Sequence, residues 1–430
     1  MAGQRHQTPS LGDGPTYWFR GRLWGLSTWR ATAGIRPAGR LGSNHRTTMT
    51  EETLSSPTSD IGSTPSGAPS RPRPRRWWPW ITLIVAAIVI AVASRVNLNY
   101  YAVQPGVAQP VQQFIRVPAD KGHPVTHSVL LTDVEIGRVS ALTYLYYKFQ
   151  GDTDLYPLES ITGGSPPSEY TARGDLEMSQ AESAAKTAAL RRLGYPVTAQ
   201  PGGAVVSATY PKAPAYGLLN VGDVISAVDG TSTPNADSLV TALRLHHSGQ
   251  SITLSVLGQG SNASSTPKPV TLTLKDTVID TGGGVMQTED LGVQVGNQVN
   301  YTYPFPVTMN VANIGGPSAG LAMTLGVIDA LTGGSLTGGK TVATTGTIDD
   351  QGNVGDVGGV PQKTVAVENA GATIFLVPPQ EYKAAKSKQR KGLQIYAVST
   401  LDQALAVLAA HGGVVPPVPT NSTSTTSTPA

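Results

Sequence analysis

The chain has no cysteine among its 430 residues. That excludes disulfides, a thiol nucleophile and thiolate metal ligands. Charge is sparse: Asp, Glu, Lys and Arg make up 14% of the chain, with a formal net charge of +3. So small a balance gives no electrostatic footprint for a nucleic acid, and no such partner is expected. Histidine is also scarce, seven in all, and none stands close to the serine discussed below, so nothing recommends a Ser-His-Asp triad. Acidic residues gather at Asp349, Asp350 and Asp356, but Asp349-Asp350-Gln351-Gly352-Asn353 reads as a hairpin turn rather than a cation loop. Neither a metal nor a cofactor is expected.

Glycine and proline are plentiful instead, 48 and 33, with much of the excess at the two ends. Residues 1–76 lack apolar periodicity and read as a disordered cytoplasmic segment, and residues 413–430 read as a disordered tail. Met49-Thr50-Glu51-Glu52 resembles a natural start, which would leave residues 1–48 untranslated. Arg71, Arg73, Arg75 and Arg76 precede Trp77-Trp78-Pro79-Trp80 and the uncharged run Ile81–Ala93, which Arg95 closes. Basic residues before the run and tryptophans at its edge predict a single transmembrane anchor over residues 77–95, N-terminus in the cytoplasm and the remainder outside. The competing reading is a cleaved signal peptide, since Ala91-Val92-Ala93 suits a cleavage site.

Residues 96–177 read as a strand-rich extracytoplasmic region, with β-like runs at His127–Val134 and Ala141–Tyr147. A helix is expected over Ser179–Leu193, opened by the capping box Ser179-x-x-Glu182 and stopped by Gly194. Further on, Gly315-Gly316-Pro317 forms a tight turn that presents Ser318 at the start of an apolar helix. Unpaired backbone N–H groups converge there, so the position suits an oxygen that gains negative charge. A serine that merely caps a buried helix fits the same letters. Lys363 stands two residues after Pro361, in the first turn of another predicted helix. The dipole and apolar neighbours such as Val360 and Val365 would lower its pKa, as a general base requires; a solvated lysine is the plain alternative.

Gly316-Pro317-Ser318-Ala319-Gly320 resembles the nucleophile motif of the Lon protease family. Thr344-Thr345-Gly346-Thr347-Ile348, Gly352-Asn353-Val354 and Gly358-Gly359-Val360-Pro361-Gln362-Lys363 are similar to later motifs of that family, in the same order. The resemblance implies a Ser-Lys dyad with Ser318 as nucleophile and Lys363 as base. Thr345 would help hold the lysine, and Gly316, Pro317 and Ala319 would shape the turn. Gly315 departs from the acidic residue usual at its place, and the Ser-to-Lys separation of 45 (363 minus 318) is somewhat long. Leu193-Gly194-Tyr195-Pro196-Val197, Gly222-Asp223-Val224-Ile225 and Asp229-Gly230 together resemble a bacterial PDZ domain. By that resemblance a substrate C-terminus would add as a strand, with Gly194 and Tyr195 near the carboxylate and Leu239 and Leu243 lining the pocket.

Gly334-Ser335-Leu336-Thr337-Gly338-Gly339-Lys340-Thr341 spells a Walker A pattern, but a helix precedes it and a β-branched run follows. A phosphate loop needs the reverse order, so a connecting loop is expected. The expected fold class is α+β: the transmembrane helix, a PDZ domain over 178–276 and a C-terminal Lon-type proteolytic domain over 277–412. The expected function is an ATP-independent, membrane-anchored serine endopeptidase acting on unfolded or flexible proteins. The alternative is a catalytically inactive PDZ scaffold at the membrane. Self-association into a homo-oligomer is open; related proteolytic domains form rings.

Overall fold

The computed structural model describes residues 77–418, except 126, 164, 262–264, 281–284, 289–290, 312–313 and 391. The expectations for residues 1–76, including Met49, and for 419–430 lie outside the described residues. Helix α1 (Trp78–Arg95) has 18 residues, none of them buried. It is long and apolar enough to cross a bilayer.

After α1 the chain runs through β1 (Asn97–Pro110), β2 (Leu130–Ser140), α2 (Ala141–Lys148), β3 (Asp154–Pro157) and α3 (Pro167–Arg192). There follow β4 (Thr198–Thr209), β5 (Val224–Val228), α4 (Ala236–Leu243), β6 (Ser251–Leu257), β7 (Lys268–Thr273) and β8 (Val293–Thr302). The last part holds α5 (Gly320–Thr332), β9 (Val342–Thr344), α6 (Val360–Asn369), β10 (Ile374–Val377), α7 (Tyr382–Ser387), β11 (Gln394–Ala397) and α8 (Leu401–Ala410).

Two six-stranded sheets organise these elements, and they do not follow the expected boundaries. The first has the order β11-β10-β9-β2-β1-β3. β9 pairs in parallel with β10 (Val342↔Ile374) and with β2 (Ala343↔Leu130), while β1 and β2 are antiparallel. The strand-rich residues 96–177 therefore do not stand as a region of their own: they supply half of the sheet on which the C-terminal part is built. The apolar run Val129-Leu130-Leu131, buried throughout, suits a strand covered on both faces.

Helix α3 begins twelve residues before the expected Ser179, with Pro167 at its first turn, where a missing N–H costs nothing. Met178, Ala181, Ala185 and Ala188 recur at helical spacing and share a core with Leu321, Leu325 and Ile328 of α5. From Met178 onward this helix therefore packs into the larger domain, not only into the smaller one as its place in the 178–276 segment implied, while Leu176, further back, packs against Val205 of β4 and Val221. Ala141–Tyr147 is likewise a helix rather than a strand. Ser140 caps it, accepting from the Thr143 N–H while the Thr143 hydroxyl accepts from the Ser140 N–H, and this local box overrides the β preference of its tyrosines.

The second sheet, in the order β8-β4-β5-β6-β7 with the short strand Thr231–Ser232 beside β5, forms a small domain inserted between the two parts of the larger one. Its core gathers Val206, Ile225, Leu239, Leu243, Ile252 and Leu254. β8 pairs with β4 from Val293↔Thr209 to Thr302↔Thr198, so this domain extends past the expected limit at 276.

Candidate active site

Gly316, at φ 85°, turns the chain as only glycine does readily, and its N–H donates to the Gly174 carbonyl of α3 at 2.8 Å. Helix α3 thus braces the turn. Pro317-Ser318-Ala319 then form one 3-10 turn that leads into α5. Such a turn leaves the N–H groups of Ser318 and Ala319 without a partner inside the helix. Ser318 is 4% exposed and Ala319 is buried. α5 is enclosed on every side: Gly320 to Leu331 are all buried, Thr324 and Asp329 among them.

Lys363 lies on α6, whose N-cap Gly359 adopts φ 68° and lies so close to β2 that a Cβ would come 2.8 Å from a Val134 methyl. The side chain is wholly buried. Its Nζ donates to Thr345 Oγ1 at 3.1 Å, and Thr345 Oγ1 donates to the Ser318 carbonyl oxygen at 3.4 Å. Gly346 N–H also donates to that carbonyl, at 3.1 Å. Thr345 therefore joins the two segments: among the described residues the lysine amine bonds to the threonine hydroxyl and to no atom of Ser318.

Burial lowers the Lys363 pKa from 10.5 to about 7, and the carboxylates of Asp133 and then Glu381 counter part of that shift. Asp133 is 3% exposed and takes the Val107 N–H at 2.6 Å. The Glu381 carboxyl is itself raised, by burial first and by Asp356 second. Neither carboxylate was singled out in the sequence. Asp133 sits on β2, 230 positions before Lys363 (363 minus 133), and only the parallel pairing of β2 with β9 brings it there. No local signal announces such a neighbour.

The residues expected to bind a peptide do not converge. Gly194, at φ 82°, and Tyr195 close the C-terminus of α3 through N–H bonds to Arg191 and Leu190. The Tyr195 ring then packs edge-on against Phe305, 5.0 Å between centroids, in the larger domain. Leu239 and Leu243 are 1% and 5% exposed within the small domain's core. β4 is also paired on both sides, by β8 and β5, which leaves it no free edge for an added strand. Helical periodicity on α4 marks a buried face, and here that face meets the sheet beneath it.

The glycine-rich run 334–341 is a loop between α5 and β9, as expected. A Cβ on Gly334 would fall 2.2 Å from the Pro124 carbonyl oxygen, and one on Gly338 would fall 2.5 Å from Gly412, so these glycines permit close backbone approach. The Asp349 carboxylate is spent on its own turn, accepting from the N–H groups of Gln351 at 2.9 Å and Asn353 at 2.8 Å.

Residues 310–410 match the family model of the Lon protease (S16) C-terminal proteolytic domain. A Lon protease of Chloroflexus aggregans is 35% identical over 94 residues, 21% of this chain and 11% of its own length. Lon protease 1 of Bacillus subtilis is 30% identical over 122 residues, covering 28% of this chain and 16% of that protein. Lon protease 2 of the same organism is 39% identical over 92 residues, 21% of this chain and 16% of the relative. The chain thus spans between 11% and 16% of the lengths of these relatives. Among solved structures, the PDZ domain of an SdrC-like protein from Listeria innocua is similar at 17% identity, covering 22% of this chain and 93% of that one, with a TM-score of 0.18.

Proposed function

We propose that this chain is a membrane-anchored serine endopeptidase in which Ser318 attacks a peptide carbonyl and Lys363 takes its proton, later returning it to the leaving amine. The observation that carries the reading is the wholly buried Lys363 amine, tied through Thr345 Oγ1 to the Ser318 carbonyl, where burial lowers its pKa to about 7. Near neutrality about half of such amines are unprotonated and able to act as a base. With one N–H directed to Thr345, the neutral amine keeps a lone pair for the serine proton. The N–H groups of Ser318 and Ala319, left without partners inside the helix, receive the oxyanion. The match of 310–410 to a proteolytic domain supports the same assignment.

In this reading the peptidase works without ATP; the Walker-like letters of 334–341 follow a helix and precede a strand, the reverse of the order that a phosphate loop needs. Its substrates are accordingly flexible or unfolded proteins. The small domain selects them by their C-termini; with β4 paired on both flanks, the strand is added at an outer edge of that sheet, along β8 or β7. Helix α1 holds the enzyme in the membrane with its catalytic domain outside the cytoplasm.

The test is cleavage of an intrinsically disordered protein by the purified full-length chain in detergent, without ATP. Ser318→Ala and Lys363→Met are each expected to lower the rate by about a thousandfold or more. Variants that cleave as fast as the parent would show that neither group does the chemistry.

A further inference from the structure

Leu142, Leu145 and Tyr146 of α2, with Phe149 at its C-cap, lie three, one and three residues apart and so share one helical face. That face is open, with exposures of 37%, 56%, 62% and 82%. The opposite side rests on β1, where Tyr144 meets Tyr100 edge-on with 5.1 Å between ring centroids. An uncovered apolar stripe of this kind marks a contact surface.

The position of α2 supplies the occupant. The N–H of Ala141, its first residue, donates to the carbonyl of Val96 at 2.9 Å, one residue beyond the end of α1. Ser140 is paired with Asn97 at the same place. α2 therefore starts where the apolar helix stops.

We propose that α2 is a second membrane contact, its four apolar side chains sunk into the interface of the leaflet from which α1 emerges. The inference rests on the reading of α1 as a span. Tyrosine and phenylalanine suit the headgroup level, and a helix lying in that plane places its apolar face about 5–10 Å deep. Lys148 at the helix end keeps its ammonium in the aqueous layer. The catalytic domain is then fixed in orientation to the bilayer, held by a span and by a surface helix.

The absence of cysteine makes the test direct, because an introduced thiol is the sole site for a nitroxide label. Full-length chain carrying Leu145→Cys, Phe149→Cys, Leu218→Cys or Val89→Cys is labelled and placed in phosphatidylcholine and phosphatidylglycerol vesicles. Collision with oxygen, which concentrates in lipid, is compared with collision with a water-soluble nickel chelate. Labels at 145 and 149 are expected to favour oxygen several-fold, as at 89, while the label at exposed Leu218 favours nickel. Labels at 145 and 149 that match 218, with 89 in lipid, would overturn the surface contact and leave the span intact. A label at 89 open to nickel would overturn both. Spin-spin broadening at 149 that disappears on dilution with unlabelled chain would assign the face to a second copy and overturn the lipid contact.

Discussion

The small domain fills its interior with Val206, Ile225, Leu239, Leu254 and similar side chains, and the buried polar groups among its described residues are Thr209, Asp223 and Thr233. The larger domain instead encloses Asp133, Ser318, Thr344, Thr345, Gln362, Lys363 and Thr364. Enclosing polar and ionisable groups costs stability unless each is paired, and the charged forms of Asp133 and Lys363 cost the most. One interior is arranged for cohesion alone. The other gives up cohesion to hold an amine near its neutral form, a cost expected where proton transfer is the task.

The contrast can be tested most severely through Lys363. Its folded pKa of about 7 lies below the ordinary 10.5, so between those values the unfolded chain binds a proton that the folded chain lacks. Stability should therefore rise with pH through that window, at about 1.4 kcal/mol per pH unit, and fall to its lowest level below about pH 7. Lys363→Met is expected to abolish the slope while raising stability at neutral pH, as urea titrations from pH 7 to 10 would show. A parent protein whose stability is flat over that range would erase the distinction between the two interiors.

Leu239→Ala is the matching cut in the small domain. It should cost about 2–5 kcal/mol there, seen as faster hydrogen exchange in β4 to β7, without moving the pH dependence of cleavage. A shift of that profile would mean that the two interiors do not act separately. The finest comparison is Asp133→Asn, which keeps an acceptor for the Val107 N–H but removes a carboxylate that holds the Lys363 pKa up. The acid limb of the cleavage profile should move below about 7, by up to roughly one pH unit. A limb that stays in place would remove Asp133 from the electrostatics of the site.

Local chemistry made part of this legible in the letters. The Gly-Gly-Pro turn before Ser318, the apolar α5, and the placement of Lys363 in the first turn of α6 all depend on neighbours within a few residues. What depends on distant pairing was hidden. The join of β2 to β9 links segments about two hundred positions apart, and nothing within residues 96–177 signals that partner. Ser179-x-x-Glu182 looked like a helix start, yet those residues lie inside α3, which Pro167 opens. Leu239 and Leu243 lay at the spacing of a pocket wall, which is also the spacing of a buried face, and only the sheet beneath α4 distinguishes the two.

The pairing of Thr302 with Thr198 has a consequence for how this chain can be taken apart. The path departs from its host and comes back to it at neighbouring points, like a side room reached through a single doorway. A short bridge across that opening would shed the guest, but it would also strip the cover from Leu176, which packs against Val205 and Val221, and leave Arg173 without the Ser207 carbonyl.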